Sequence, residues 1–167
     1  MIALWLLWMI GCSGKATTLI TELSSENPVV RQDALIEARD FSDAALTAAV
    51  EKLLTDPDPR IRYEAVITLY QFRSTTSVQP LLPILYDTDP KVSRAAIDTL
   101  GHLADPSAAS ALMTLVSTNR DHPPLNAIWA LGQCKVKEGR ALLSELRQHP
   151  DKWVRYNVDE ALRHIDE

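Results

Sequence analysis

Several residue types are scarce in this chain of 167 residues. It has two cysteines, Cys12 and Cys134, five glycines and only 6% aromatic residues. Two cysteines cannot form the disulfide framework of a small secreted domain, and the low glycine and aromatic content argues against collagen and β-rich sandwiches. The net charge is −5 and no run of basic residues occurs. Because binding of nucleic-acid phosphates requires positive charge, we expect no nucleic-acid partner.

Residues 1–11, MIALWLLWMIG, form an apolar stretch at the start of the sequence. A helix of this length reaches about half of the roughly 30 Å hydrocarbon core of a membrane, so it is too short to span one. It has the length of the hydrophobic region of a signal peptide, which is normally removed. An ordinary cleaved signal peptide and a buried N-terminal helix with an incidental cysteine are the alternatives.

The junction Met9–Cys12, MIGC, resembles the lipobox of bacterial lipoproteins. The resemblance implies that Cys12 receives a diacylglycerol thioether and becomes the mature N-terminus, which would anchor the protein on a membrane. Ser13 resembles the residue of lipoproteins sorted to the outer membrane. We therefore expect a lipoprotein signal peptide at 1–11, a short linker at 12–16 and a repeat domain at 17–167. The expected location is the cell envelope, facing the periplasm, or the cytoplasm if the signal is not processed.

The rest of the chain repeats with a period of 31 residues. Asp56–Phe72 reads DPDPRIRYEAVITLYQF, and Asp87–Leu103 reads DTDPKVSRAAIDTLGHL. About five copies align without insertions, and apolar or small residues recur at spacings of four, four and three, which place them on one face of an α-helix. The aligned columns are Val30, Ile61, Val92, Pro123 and Val154; Ala34, Ala65, Ala96, Ala127 and Val158; Ala38, Leu69, Leu100, Leu131 and Leu162; and Phe41, Phe72, Leu103, Cys134 and Ile165.

Each copy reads as a pair of helices. Asn27, Asp58 and Asp89 each precede a proline, the combination of N-cap and first helical residue that begins a helix, and Asp151 occupies the same position in the last copy. A second apolar helix follows, and Pro83 is expected to kink one of these helices. A lone helix pair leaves apolar surface uncovered. Stacking of about five pairs therefore predicts an all-α fold, a right-handed α-solenoid.

The pattern Asp-x-x-Val-Arg-x-x-Ala-x-x-x-Leu, visible in DPDPRIRYEAVITL, resembles the HEAT-like repeats of the phycobilisome-lyase type over residues 17–167. The resemblance implies a ladder of Asp and Arg side chains between neighbouring repeats, to which Asp58, Arg62, Asp151 and Arg155 would contribute. Arg31 occupies the arginine position in the first copy, whereas Ser93 and Pro124 replace it in the third and fourth. We expect the ladder to be broken there.

No group of residues in the sequence indicates catalysis or a cofactor. Cys134 occupies an apolar column and is expected in the core. His102 and His164 fall in one column two repeats apart, too far for a shared metal ion, and no His-Glu dipeptide occurs, unlike in HEAT-repeat hydroxylases that hold di-iron. We therefore predict no catalytic residue, no metal, no cofactor and no small-molecule substrate.

Aromatic residues recur on the outer side of the first helices, and another lies at the edge of the surface made by the second helices. These candidate partner-binding residues are Tyr63, Tyr70, Tyr86, Trp129 and Tyr156. Exposed aromatics can anchor a partner protein, although they can also cover neighbouring side chains. The sequence thus favours a non-enzymatic protein-interaction scaffold, lipid-anchored in the envelope. The alternative is an enzyme or enzyme partner of the bilin-lyase type in the cytoplasm, which the family resemblance implies.

Overall fold

The computed structural model describes residues 14–41 and 43–167, which are helical and contain no strand. Helix α1 covers residues 14–23. The helices that follow are α2 (Pro28–Ala38), α3 (Ala44–Lys52), α4 (Pro59–Phe72), α5 (Val78–Leu81), α6 (Pro90–Leu103), α7 (Ala109–Thr118), α8 (Leu125–Gln133), α9 (Gly139–Leu146) and α10 (Lys152–Asp166). Short 3-10 turns cover Leu53–Thr55, Thr75–Ser77, Pro83–Tyr86 and Pro106–Ala108.

The predicted N-caps are confirmed in four copies. The side chains of Asn27, Asp58, Asp89 and Asp151 each accept a hydrogen bond from the backbone N–H two residues further on, at 3.0, 2.9, 2.8 and 2.7 Å. These bonds satisfy N–H groups that have no partner within the first turn of a helix. The cap therefore sets the first residue of α2, α4, α6 and α10.

A second hydrogen bond recurs immediately before each cap. The side chain two residues upstream accepts a bond from the backbone N–H of the cap residue itself, at distances of 2.8–3.2 Å. The accepting residues are Ser25, Asp56, Asp87 and His149. Short polar side chains stabilise turns by such local bonds to the backbone. Each helix entry is thus held by two consecutive side chains.

Three helix ends share an unusual backbone conformation. Arg73, Ala104 and Lys135 have φ angles of 50°, 52° and 52°, in the left-handed region that glycine usually occupies at the end of a helix. Successive members are one 31-residue period apart. The turn from the first to the second helix of a pair is therefore made in the same way in three copies, each time by a residue other than glycine.

The chain divides into two compact units, one that ends at Arg73 and one that comprises Ser74–Glu167. In the first unit, α4 packs against α2 and α3. The buried hydroxyl of Thr68 donates a hydrogen bond of 3.0 Å to the carbonyl oxygen of Leu35, which joins α4 to α2. Leu19 and Leu23 of α1 are buried in the same unit.

In the second unit, α8 packs between α6 and α10. Glycine permits close approach at both contacts. A Cβ on Gly132 would lie 2.7 Å from the Cα of Ala161, and a Cβ on Gly101 would lie 2.9 Å from the Cβ of Ala130. Both distances are shorter than a real Cβ tolerates. The two glycines therefore set how closely α8 approaches its neighbours.

The predicted alanine and leucine columns are buried, whereas Val30, Phe41 and Leu103 of the other two columns are half-buried. Members of the alanine and leucine columns of the first helices are at most 3% exposed, and Val50, Leu81, Leu112 and Leu143 of the second helices are fully buried. Pro83 does more than kink its helix, because α5 ends at Leu81 and the chain continues as a 3-10 turn from Pro83. Leu35, Val66, Ile97 and Ile128 share a buried column, whereas Asp159 at the same position is exposed and pairs with Arg147.

Candidate interaction surface

Cys12 and the predicted signal peptide lie outside the described residues, as do residues 12–13 of the predicted linker. The lipid attachment at Cys12 and the boundaries at 1–11, 12–16 and 17–167 therefore remain predictions. Among the residues that the structure does describe, none of the helices combines the length and the apolar character needed to cross a membrane.

The arginine column of the repeat closes the loop before each first helix. In Arg31, Arg62 and Arg155, the Nη1 group donates to the two carbonyl oxygens six and five residues upstream, at distances of 2.6–3.3 Å. In the third copy, the hydroxyl of Ser93 donates to the carbonyl oxygen of Leu85 at 2.7 Å. Arg62 and Arg155 thus hold the backbone that precedes their own helices.

The ion pair between repeats uses an aspartate other than the one expected. Arg31 pairs with Asp56 through Nε–Oδ2 at 2.8 Å and Nη2–Oδ1 at 3.1 Å. Asp58, the expected partner position, instead caps α4 and pairs with Arg60. Asp151 likewise caps α10. The reason is geometric, because a cap carboxylate must face its own helix, which leaves the upstream aspartate free to reach the preceding repeat.

Hydrogen bonds also set the electrostatics of the cap. The side chain and the backbone N–H of Arg60 both donate to Asp58, and these bonds lower the pKa of Asp58 to about 2. The ionised form is the one that accepts both bonds, so ionisation of Asp58 and capping of α4 are coupled.

In the fourth copy the entry to the first helix is different. Pro124 precedes α8 and supplies no side-chain cap, so α8 begins at Leu125 without one. Arg120, the residue at the cap position, pairs with Glu145 at 2.6 Å instead. The Nε2 atom of His149 contacts the carbonyl oxygen of Asp121 at 3.2 Å. The recurring cap and arginine contacts are thus replaced by other contacts here, where the sequence predicted a break.

The predicted aromatic residues separate into two groups. Tyr86 and Tyr156 are 56% and 58% exposed, and Tyr63 is 37% exposed. Tyr70 and Trp129 are half-buried. Trp129 packs on Gly101 and meets the ring of His102 edge-on, with 5.0 Å between ring centroids. Trp129 therefore covers neighbouring side chains, the alternative that the sequence left open.

Trp153 was not among the predicted residues, although it is 58% exposed. It lies three residues before Tyr156 in α10, so both aromatics lie on one face of the helix. The ammonium group of Lys152 lies 5.2 Å from the centre of its ring. Lys152 and Trp153 directly follow the Asp151 cap. This position just after a helix cap is the sequence signal that could have identified Trp153 as exposed.

A groove of about 510 Å³ lies between α6 and α8 in the second unit. Its lining residues come from α6, from the first turn of α8 and from the residue before α8: Pro90, Ser93, Arg94, Ile97, Asp98, Pro124, Leu125 and Asn126. Ile97 is 4% exposed and Leu125 is 38% exposed. The groove thus combines an apolar base with charged and amide groups, and no prediction from the sequence included it.

Cys134 is buried in the core, as predicted. Burial, with a smaller contribution from the negative charge of Asp105, raises the pKa of its thiol to about 11. A thiol with this pKa is almost fully protonated at neutral pH, and the protonated form is a poor nucleophile. In the part of the chain that the structure describes, no three His, Cys, Asp or Glu side chains are grouped as metal ligands.

Residues 16–90 and 71–124 match the family model for HEAT repeats. No curated protein sequence is similar enough to this chain to count as a match. The all-α solenoid class predicted from the sequence is confirmed by likeness to solved repeat structures. The complex of CpcE and CpcF of phycocyanin lyase from Nostoc sp. PCC7120 is 22% identical, with a TM-score of 0.75 over 90% of this chain and 64% of that one.

Two further structures show the same fold. A designed armadillo repeat protein in complex with the peptide (KR)4 is 19% identical, with a TM-score of 0.66 over 88% of this chain and 80% of that one. Human deoxyhypusine hydroxylase in complex with glycerol is 18% identical, with a TM-score of 0.61 over 95% of this chain and 65% of that one. At these identities the likeness extends to the fold alone. The chain spans less than two thirds of the phycocyanin lyase chain and of the hydroxylase.

Proposed function

This chain belongs to the HEAT repeat family, and we propose that it is a non-enzymatic scaffold that binds another protein. We further propose that lipid on Cys12 anchors it to a membrane of the bacterial envelope. The observation that carries the binding role is the family match over residues 16–124. Repeat folds of this kind present extended surfaces formed by equivalent positions of successive repeats. The designed armadillo repeat protein of similar fold is in complex with a peptide, which supports the same role.

The exposed aromatic residues supply candidate contacts for that role. Tyr156 and Trp153 in α10, Tyr86 in its 3-10 turn and Tyr63 in α4 expose their rings. Large aromatic side chains contribute much contact area at low entropic cost, and they dominate the binding energy of many interfaces. We therefore propose these four residues as partner contacts. Tyr70 and Trp129 are not included, because both are half-buried and Trp129 packs against Gly101 and His102.

The lipid anchor rests on the sequence junction Met9–Cys12 and on the apolar residues before it. Stable anchoring requires more than one acyl chain, and a lipoprotein cysteine carries several. We propose that the repeat domain faces the periplasm from the outer membrane. A location in the cytoplasm follows if the signal is not processed.

The anchor is tested with the full-length chain carrying a C-terminal tag in a bacterial host. We expect incorporation of radiolabelled palmitate into the wild type and its loss in Cys12→Ala. The matched control is Cys134→Ala, which removes the other cysteine and should keep the label. Absence of label in the wild type, with residues 1–11 still present by intact mass, would overturn the anchor and return the protein to the cytoplasm.

Partner binding is tested separately by photo-crosslinking. A photoreactive amino acid at Trp153 or Tyr156 should yield a discrete crosslinked protein in cells, whereas the same group at the exposed Glu138 should not. Equal crosslinking from all three positions would contradict a specific surface.

A bilin-lyase role is the second candidate, favoured by the likeness to phycocyanin lyase. At 22% identity this likeness concerns the fold, so the role needs its own test. Incubation of the purified chain with a free bilin should leave the protein colourless under the scaffold hypothesis. A bound visible chromophore that survives gel filtration would favour the lyase-type role instead.

A further inference from the structure

The groove between α6 and α8 contains an arginine, Arg94, whose side chain has no partner among residues 14–41 and 43–167. Among the described residues, arginine side chains are held by carboxylates or backbone carbonyl groups, with two exceptions, Arg73 and Arg94. Of these two, Arg94 lines the groove. A guanidinium group presents donors in a fork that matches a carboxylate, so Arg94 is a binding group whose donors no described residue occupies.

Next to Arg94 lies an amide held in one orientation. The Nδ2 group of Asn126 donates to Oδ1 of Asp98 at 2.8 Å and to the carbonyl oxygen of Arg94 at 3.4 Å. Within the part of the chain that the structure describes, the Oδ1 atom of Asn126 accepts no hydrogen bond. Asn126 therefore presents an acceptor in the groove that Arg94 also lines, suited to the N–H of an extended main chain.

Apolar residues complete the groove. Ile97 and Leu125 lie beside the polar groups together with Pro90 and Pro124. A volume of about 510 Å³ lies within the range of ligand-binding clefts and exceeds what a single small side chain fills. The groove can thus take an apolar side chain next to a charged one.

We propose that this groove binds an extended segment of a partner protein that carries one carboxylate side chain beside an apolar one. The carboxylate pairs with Arg94, the main chain donates to Asn126 and the apolar side chain lies on Ile97 and Leu125. Asp98 lies in the same groove and repels a second negative charge, so a single acidic residue fits better than an acidic run. The proposal rests on the scaffold function proposed above and names the chemistry of its partner.

The test is an NMR titration of the ¹⁵N-labelled full-length chain in a mild non-ionic detergent. The probes are three acetylated peptides, Gly-Ser-Leu-Glu-Leu-Ser-Gly and its counterparts with Gln or Lys in place of Glu, added to millimolar concentration. The Glu peptide should shift the backbone amides of Arg94 and Leu125 and the side-chain amide of Asn126. Arg94→Glu should weaken binding of the Glu peptide at least about fivefold and favour the Lys peptide. The control Arg73→Glu, at the other arginine without a partner among the described residues, should bind as the wild type does.

Three outcomes would overturn the proposal. The peptides fail to shift these resonances at millimolar concentration, they shift them regardless of charge, or the resonances shift with protein concentration alone, which would assign the groove to a second copy of the chain. The scaffold function is judged apart from this. If the envelope partner crosslinked through α10 is captured equally by the wild type and Arg94→Glu, the scaffold stands and the groove is not its site. If the wild type crosslinks no partner, the scaffold itself fails.

Discussion

Arg31 and Asp56 form an ion pair that joins the first helix of one repeat to the turn before the next, with an Nε–Oδ2 contact of 2.8 Å and a hydrogen bond of 3.1 Å from Nη2 to Oδ1. The Arg31 side chain is 12% exposed and that of Asp56 is 4% exposed. Asp56 also accepts the backbone N–H of Asp58, so a single carboxylate serves both the ion pair and the entry to α4. Asp56 is therefore charged, buried and part of the entry to α4 at the same time.

Asp56→Ala should reduce the free energy of unfolding by about 3 kcal/mol, because it leaves the buried guanidinium of Arg31 without its counter-ion. Urea unfolding followed by circular dichroism measures the change. Arg60→Ala is the matched control, since it breaks the exposed pair with Asp58 and should cost much less. Equal losses in the two variants would contradict the role assigned to Asp56.

Gly101→Ala should destabilise the chain by about 1–3 kcal/mol, because the new Cβ overlaps the indole of Trp129 and lies 2.9 Å from the Cβ of Ala130. Thermal unfolding gives the comparison. Gly14→Ala adds the same methyl group where nothing lies within 4 Å of it, and it should leave stability unchanged or slightly raised. A neutral Gly101→Ala would mean that α6 and α8 are not this closely packed.

Ala104→Gly should raise the free energy of unfolding by about 0.5–1 kcal/mol, although glycine lowers stability at most helical positions. Ala104 has a φ of 52°, where a Cβ costs about 1–2 kcal/mol and glycine has no such penalty. Ala111→Gly, within α7, should have the opposite sign and cost about 1 kcal/mol. Chemical denaturation measures the free energy of unfolding of both variants. A loss of stability in both would exclude relief of strain at Ala104.

Asp58 should make stability sensitive to acid. Its pKa in the folded chain is about 2, chiefly because the Arg60 side chain donates to it, whereas an aspartate in an unfolded chain titrates near 3.9. A folded pKa below the unfolded one means that the stabilisation is present above about pH 4 and is lost as the pH falls towards 2. Asp58→Asn keeps a cap acceptor but cannot titrate, so its urea midpoint should fall less over this range. The same decline in Asp58→Asn and in the wild type would show that other groups cause it.

The sequence predicted the helical elements because caps and apolar columns recur at a fixed period. Asp58 and Asp89 begin helices through local bonds that depend on little beyond neighbouring residues, and the alanine column is buried in every copy. Local chemistry and a repeating pattern carry this information in the sequence itself.

Features that depend on the next element in space were predicted less well. Asp56 and Asp58 are two residues apart and chemically identical. Only the direction of α4 decides that Asp58 caps the helix and that Asp56 pairs with Arg31. Arg73, Ala104 and Lys135 adopt a glycine-like conformation without the glycine that would have indicated it. Trp129 could be an anchor or a packed ring until Gly101 is known to lie beneath it.

The burial of Cys134 gives this protein an internal reporter of opening. Its thiol is enclosed beside α8 with a pKa of about 11, so a thiol reagent at neutral pH should modify it only when that region opens. In a chain with Cys12 replaced by alanine, the rate of Cys134 alkylation therefore measures how often the second unit exposes its core, and no new cysteine has to be introduced. Binding of a partner in the groove between α6 and α8 should slow that rate, because it stabilises the closed second unit.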